Sequence, residues 1–182
     1  VKKVPVLSNI LVQPAAGHIQ VGKTKLIPSI IEIAGPREDL ALINHVETIL
    51  DTISSISIPL SGEISLKSLG RLIEYSNNEV KVKINVQEIS ERIIVDIPVL
   101  VINKRKTIRV FPSPQTVSLT IIGGVQRIAE LNSNEIEVVI DFNNWNRQIQ
   151  FYEPTVNVPF DILEWRDLSP RSLELGVARE VK

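Results

Sequence analysis

The stretch IPSIIEIAGPREDLALINHV, Ile27–Val46, is written a second time as FPSPQTVSLTIIGGVQRIAEL, Phe111–Leu131. Both copies follow one order: a proline, alternating apolar residues, a glycine, then a short amphipathic segment. The alternation, Ile31 and Ile33 in the first copy and Val117, Leu119 and Ile121 in the second, has the period of a half-buried strand. Gly35 and Gly123 are read as structural turn glycines, placed where the backbone needs angles that side chains resist. Apolar residues at helical spacing follow each glycine. The unit is therefore strand, turn and short helix.

Register holds along the repeat. Ile31 with Leu119, Ile33 with Ile121, Gly35 with Gly123, Leu40 with Ile128 and Ile43 with Leu131 are all 88 residues apart. Upstream, Val4-Pro5-Val6 matches Ile97-Pro98-Val99 at a separation of 93; downstream, Val82, Ile84 and Val86 match Leu173, Leu175 and Val177 at 91. Small changes of offset are what loop insertions between fixed elements produce. A period of this length exceeds a solenoid unit and points to two tandem domains of one fold. The expected division is 1–90 and 91–182, with the join at Ile89 to Arg92. The expected fold class is mainly β with short helices, a β-rich α+β protein.

The remaining segments fill in that scheme. Lys2 to Val12, with Pro5 inside, reads as an edge or entering strand. Pro14 to Gly17 is a turn, Leu40, Ile43 and Val46 suggest about two helical turns, and Ile49 to Leu60 is extended. Ser61-Gly62 marks another turn, and Glu79 to Glu88, EVKVKINVQE, is the clearest strand with one wet face. Asn103 to Lys106 is expected to close a hairpin between Val99–Val101 and Ile108–Val110. Ile136 to Phe142 forms a buried strand stopped by Asn143-Asn144, and Leu168-Ser169-Pro170 introduces the last one.

Composition narrows the chemistry. With 182 residues, 43% of them hydrophobic, the chain can bury a core in each half. A net charge of -1 exerts no general pull on nucleic acid or anionic membranes, and the lack of cysteine excludes disulfides and thiolate metal sites. No apolar run approaches the ~20 residues of a membrane helix. The sequence starts at Val1 and contains no methionine, so the expectation is a piece of a longer product whose preceding segment supplied an anchor or signal.

Catalytic parts are scarce. His18 and His45 fall in different elements without carboxylates at ligand-like spacing, so no metal or cofactor is expected. There is no nucleophile elbow. Glu135, Glu137 and Asp141 alternate along a strand, and Asp161, Glu164 and Asp167 flank Trp165 in a loop; solvated surface charge explains both groups. Gly123-Gly124 lacks the third glycine of a dinucleotide fingerprint. Lys104-Arg105-Lys106 is a short basic run beside no aromatic platform, and nucleic acid is not an expected partner. Phe142 and Phe160 are assigned to the core. Trp145 and Trp165, with Phe151 and Tyr152 nearby, are left open between core and a candidate interaction surface.

The order of these motifs resembles the YbbR-like repeat family. Val4-Pro5-Val6, Pro28 through Gly35-Pro36, Leu40–Val46 and the Glu79–Glu88 strand carry the likeness in the first half. Ile97-Pro98-Val99, Pro114 through Gly123, Ile128–Leu131, Ile136–Asp141 and Leu168 through Leu175 carry it in the second. The resemblance implies two YbbR-like domains without enzymatic activity, tethered by an N-terminal membrane helix and lying on the extracytoplasmic side. Relatives of the CdaR type regulate a membrane diadenylate cyclase that makes cyclic di-AMP, so the implied partner is a protein of that kind. An envelope assembly spacer and an RNA-binding β module are the alternatives.

Overall fold

The computed structural model describes residues 1–179, and the chain divides into two compact units, Val1–Glu88 and Ile89–Lys182. The first unit is built from β1 (Lys2–Leu7), β2 (Ile10–Pro14), β3 (His18–Gln20), β4 (Lys25–Ile27) and β5 (Ile30–Ala34), then α1 (Arg37–Leu42) and β6 (Val46–Glu47). It continues through β7 (Asp51–Ile56), β8 (Leu60–Ser65), β9 (Glu74–Tyr75), β10 (Glu79–Ile84) and the opening residues of β11 (Val86–Ile102). Two sheets, ordered β6-β1-β5-β9 and β4-β10-β8, enclose a core of Val4, Ile31, Ile33, Val46, Val80, Ile84 and their neighbours. Strand β10 buries every second residue, Val80, Val82 and Ile84, and leaves Glu79, Lys81 and Lys83 in water. That is the alternation its sequence dictates.

The second unit adds β12 (Ile108–Ser113), β13 (Thr116–Gly124), α2 (Val125–Glu130), β14 (Glu137–Asp141), β15 (Thr155–Asn157), β16 (Glu164–Ser169) and β17 (Glu174–Arg179). Its main sheet runs β15-β14-β11-β13-β16, with β12 and β17 forming a separate ribbon. Ile97, Val117, Leu119, Ile121, Leu131, Val138 and Leu173 fill its core. The fold is mainly β with two short α-helices.

The duplication read from the sequence is a duplication of topology. In the first unit β1 pairs antiparallel with β5, the chain turns through α1, and β6 returns parallel to β1, with Val6 opposite Val46. In the second, β11 pairs antiparallel with β13, the chain turns through α2, and β14 returns parallel to β11, with Val99 opposite Val138. Pro5 sits where β1 has a strand partner on one side only, at Ile30, which is where a residue without an N–H is tolerated.

A six-residue helix has no independent stability and leaves its last carbonyls unpaired. The fold resolves this in the same way twice. Lys2 Nζ donates to Leu40 O at 3.0 Å and Ile43 O at 2.7 Å. An Arg92 guanidinium nitrogen donates to Ile128 O and Ala129 O, both at 2.9 Å, and to Leu131 O at 3.2 Å. Each cation comes from the first strand of its own unit and meets the negative end of the helix.

Several local expectations are corrected. Gly35 and Gly123 are not needed for unusual backbone angles, since neither has positive φ; the glycines that do are Gly17, Gly22 and Gly70. Space is the reason instead. A Cβ on Gly35 would lie 2.6 Å from Ile73 Cδ1 and 2.8 Å from Leu72 O, and one on Gly123 would lie 3.1 Å from Ile128 Cγ2. Val46 belongs to β6 rather than to the helix, which ends at Leu42 with Ile43 already extended. Ser61 and Gly62 lie inside β8, opposite Lys83 and Val82, so they make no turn. The Asn103–Lys106 segment closes no hairpin, because β12 pairs with β17 and β11 with β13 and β14. Phe160 is 80% exposed rather than in the core, and Phe142 is half-buried.

Candidate interaction surfaces

Trp145 follows the 3-10 turn Phe142–Asn144, which Asp141 caps by accepting a hydrogen bond from the Asn143 N–H at 2.9 Å. The turn brings Trp145 back over Phe142, ring centroids 5.4 Å apart and planes inclined by 15°. The same indole packs against the core cluster of the second unit. Asn103 also donates to Asp141, at 3.0 Å. These two bonds, the side chain of Asn103 first, hold the Asp141 carboxyl below the usual carboxylate range.

Trp165 is placed differently. It lies on β16, the edge strand of the main sheet, opposite buried Ile121, and keeps 38% of its surface exposed. Arg127 fixes the approach to that strand. Its guanidinium donates to Asp161 at 2.6 Å and to Glu135 at 2.8 Å, joining α2, the 3-10 turn Ser133–Glu135 and the segment that leads into β16. These charge-assisted bonds, that to Asp161 foremost, bind the guanidinium proton more tightly than usual. Glu135 is held below its ordinary value, first by Arg127 and then by the Asn132 N–H it accepts in a capping box.

Beside Trp165, an open hollow of about 360 Å³ is lined by Glu153, Pro154, Arg166, Asp167, Leu168 and Arg171. Asp161 stands outside this lining, and Glu164, Trp165 and Asp167 lie on β16 rather than in a loop. Trp145 is absent from the hollow too; its ring contact is with Phe142. The structure thus separates the two tryptophans, one supporting the core and one bordering a charged hollow. Arg166 bonds both Glu91 and, at 3.5 Å, Asp167, which leaves the hollow mixed in charge.

A second exposed surface was not legible from aromatic content. Strand β11 turns Ile94, Ile97 and Val99 into the core and leaves Ile93, Val95, Leu100 and Ile102 exposed by 66, 58, 49 and 41%. The signal was present as the unbroken apolar runs Ile93-Ile94-Val95 and Val99 to Ile102, in which no residue alternates to polar.

Among the described residues no group of three or more histidine and carboxylate side chains could hold a metal ion, and no helix is long and apolar enough to cross a membrane. His18 Nδ1 lies 3.0 Å from Ala16 O, and His45 stands 3.8 Å from Glu47. No family model and no curated protein matches the chain. Among solved structures, it is similar to a YbbR-like protein. The crystal structure of that YbbR-like protein from Streptococcus pneumoniae TIGR4 is 10% identical, covers 98% of this chain and 95% of its own, and superposes with a TM-score of 0.41.

Proposed function

We infer that the chain is a non-catalytic binding module that acts through protein contacts, displayed on the extracytoplasmic side of a membrane by an anchor encoded outside this sequence, and that it regulates a membrane diadenylate cyclase. The observation that supports contact rather than chemistry is the outward apolar row Ile93, Val95, Leu100 and Ile102 on β11. Exposed apolar rows of this kind mark places where another surface docks. The assignment of the cyclase rests on the resemblance to the YbbR-like repeat family.

Two measurements test this. The sequence encoded ahead of Val1, read together with a topology reporter fused at Lys182, is expected to give an apolar segment of about 20 residues and an extracytoplasmic reporter. Affinity capture of the full-length product from detergent-solubilised membranes is expected to bring down diadenylate cyclase, and Ile93→Glu is expected to release it. A cytoplasmic reporter sinks the localisation. Capture of wall-assembly components without cyclase replaces the regulator by an envelope spacer.

A further inference from the structure

In the first unit, an open groove of about 770 Å³ runs between the end of β1 and the outer side of β4. Val6, Leu7 and Ile10 line one wall, and Lys25, Leu26 and Ile27 line the other. Side chains alternate along a strand, so three consecutive residues can border one groove only along the strand's edge, where the backbone itself is presented. Among the described residues β4 pairs with β10 alone, so its other edge carries backbone groups that no other described strand uses. It has the requirements for adding one further extended strand.

The charges indicate what that strand carries. Among the described residues Lys23 and Lys25 are the only ionisable ones lining the groove. Lys25 lies directly opposite Lys83 of β10, and on its other side Lys83 faces Ser61. Like charges directly opposite each other on neighbouring strands repel. Neither lysine has an anionic partner among the described residues. Lysines on an edge also discourage a second copy of the same edge from pairing, because lysine would meet lysine.

We propose that this groove receives an extended acidic segment of a partner protein, which adds to β4 as a strand and sets its carboxylates beside Lys23 and Lys25, with Lys83 one strand further in adding to the positive charge. The alternating apolar side chains of that segment point to the opposite face, where Leu26 of β4 and, across the groove, Leu7 and Ile10 meet them. This rests on the reading that the chain works through protein contacts, and it names a face and a partner chemistry that the reading leaves open.

The test uses the chain itself and a labelled pool of seven-residue peptides with Asp or Glu at every second position and apolar residues between. The expected result is salt-sensitive binding, amide shifts at Lys25, Leu26 and Ile27, and an affinity about tenfold weaker in the double variant Lys25→Glu/Lys83→Glu. A pool with lysine at the same positions is expected not to bind. Absence of binding by the acidic pool, equal binding of both pools, or amide shifts elsewhere overturns the proposal and leaves the lysines as guards of an edge. Cyclase capture by the full-length product is scored separately, so either idea can fail alone.

Discussion

Arg92 stands in the second unit where Lys2 stands in the first: each reaches from its unit's opening strand to the carbonyls that end the short helix, Leu40 and Ile43 for Lys2, Ile128, Ala129 and Leu131 for Arg92. Leu40 and Ile43 are also the repeat partners of Ile128 and Leu131. The contact is a property of the repeat, kept although the cation differs. Arg92→Met and Lys2→Met are each expected to destabilise the unit concerned by about 1–3 kcal/mol, with Arg92→Met the costlier because three acceptors lose their donor. Chemical denaturation followed at each unit checks the order, and Arg92→Lys is expected to recover part of the loss.

The two repeat glycines should respond unequally to alanine. At Gly35 the new methyl meets a backbone oxygen at 2.8 Å as well as a side chain, whereas at Gly123 the nearest atom is a side-chain methyl at 3.1 Å. Gly35→Ala is expected to cost about 1–3 kcal/mol and Gly123→Ala less. Adding Ile73→Val removes Cδ1 but leaves Leu72 O in place, so it should not restore the Gly35→Ala variant. Thermal melts of the four proteins settle the comparison.

Asp96 occupies the irregularity in β11 between Ile94 and Ile97 with φ of 56°. A left-handed backbone is tolerable for aspartate and poor for a β-branched residue. Asp96→Val should therefore destabilise the second unit by about 1–2 kcal/mol, and Asp96→Gly should leave it close to wild type. Equal melting temperatures for the two variants would exclude this account.

Opposed lysines make a charge-swap test possible. Lys25→Glu places a carboxylate opposite Lys83 and is expected to raise stability by about 0.2–1 kcal/mol, as is Lys83→Glu; the double variant restores like charges and should cancel the gain. Urea midpoints at low ionic strength give the cycle directly.

Acid sensitivity follows from two carboxylates whose folded-state pKa values lie below the ordinary 4.5 of Glu135 and 3.8 of Asp141. A lowered folded value means stability that is fully present above the ordinary value and is lost as pH falls through the folded one. Unfolding midpoints should thus decline below about pH 4.5 and keep declining past pH 3.8. Asn103→Ala should flatten the Asp141 part of that decline, and Arg127→Gln the part due to Glu135.

The duplication was legible because apolar alternation and a fixed 88-residue offset survive in Ile31, Ile33, Leu119 and Ile121, all buried. What failed were inferences from single residue types. Gly62 resembles a turn residue but sits in β8, where lack of a side chain is tolerated beside Val82. Val46 falls at helical spacing from Leu40 yet is buried by a parallel pairing with Val6, a partner forty residues upstream that no local window contains. Phe160 is apolar yet exposed, because it lies in the turn that precedes buried Ile162, and no local pattern marks that turn. The groove beside β4 was hidden for the same reason: Lys25 and Lys83 are neighbours only through sheet register.

Strand β10 is also the last large piece of the first unit to leave the ribosome. Val4 cannot complete its packing until Val80 and Ile84 exist, and at 5–20 residues per second that interval is roughly 4–16 s. During it, strands β1, β4, β5 and β8 are exposed to every neighbouring nascent chain. Lys81 and Lys83, alternating along the wet face of β10, are charges of the kind that disfavour capture of a late-arriving apolar strand by the wrong sheet.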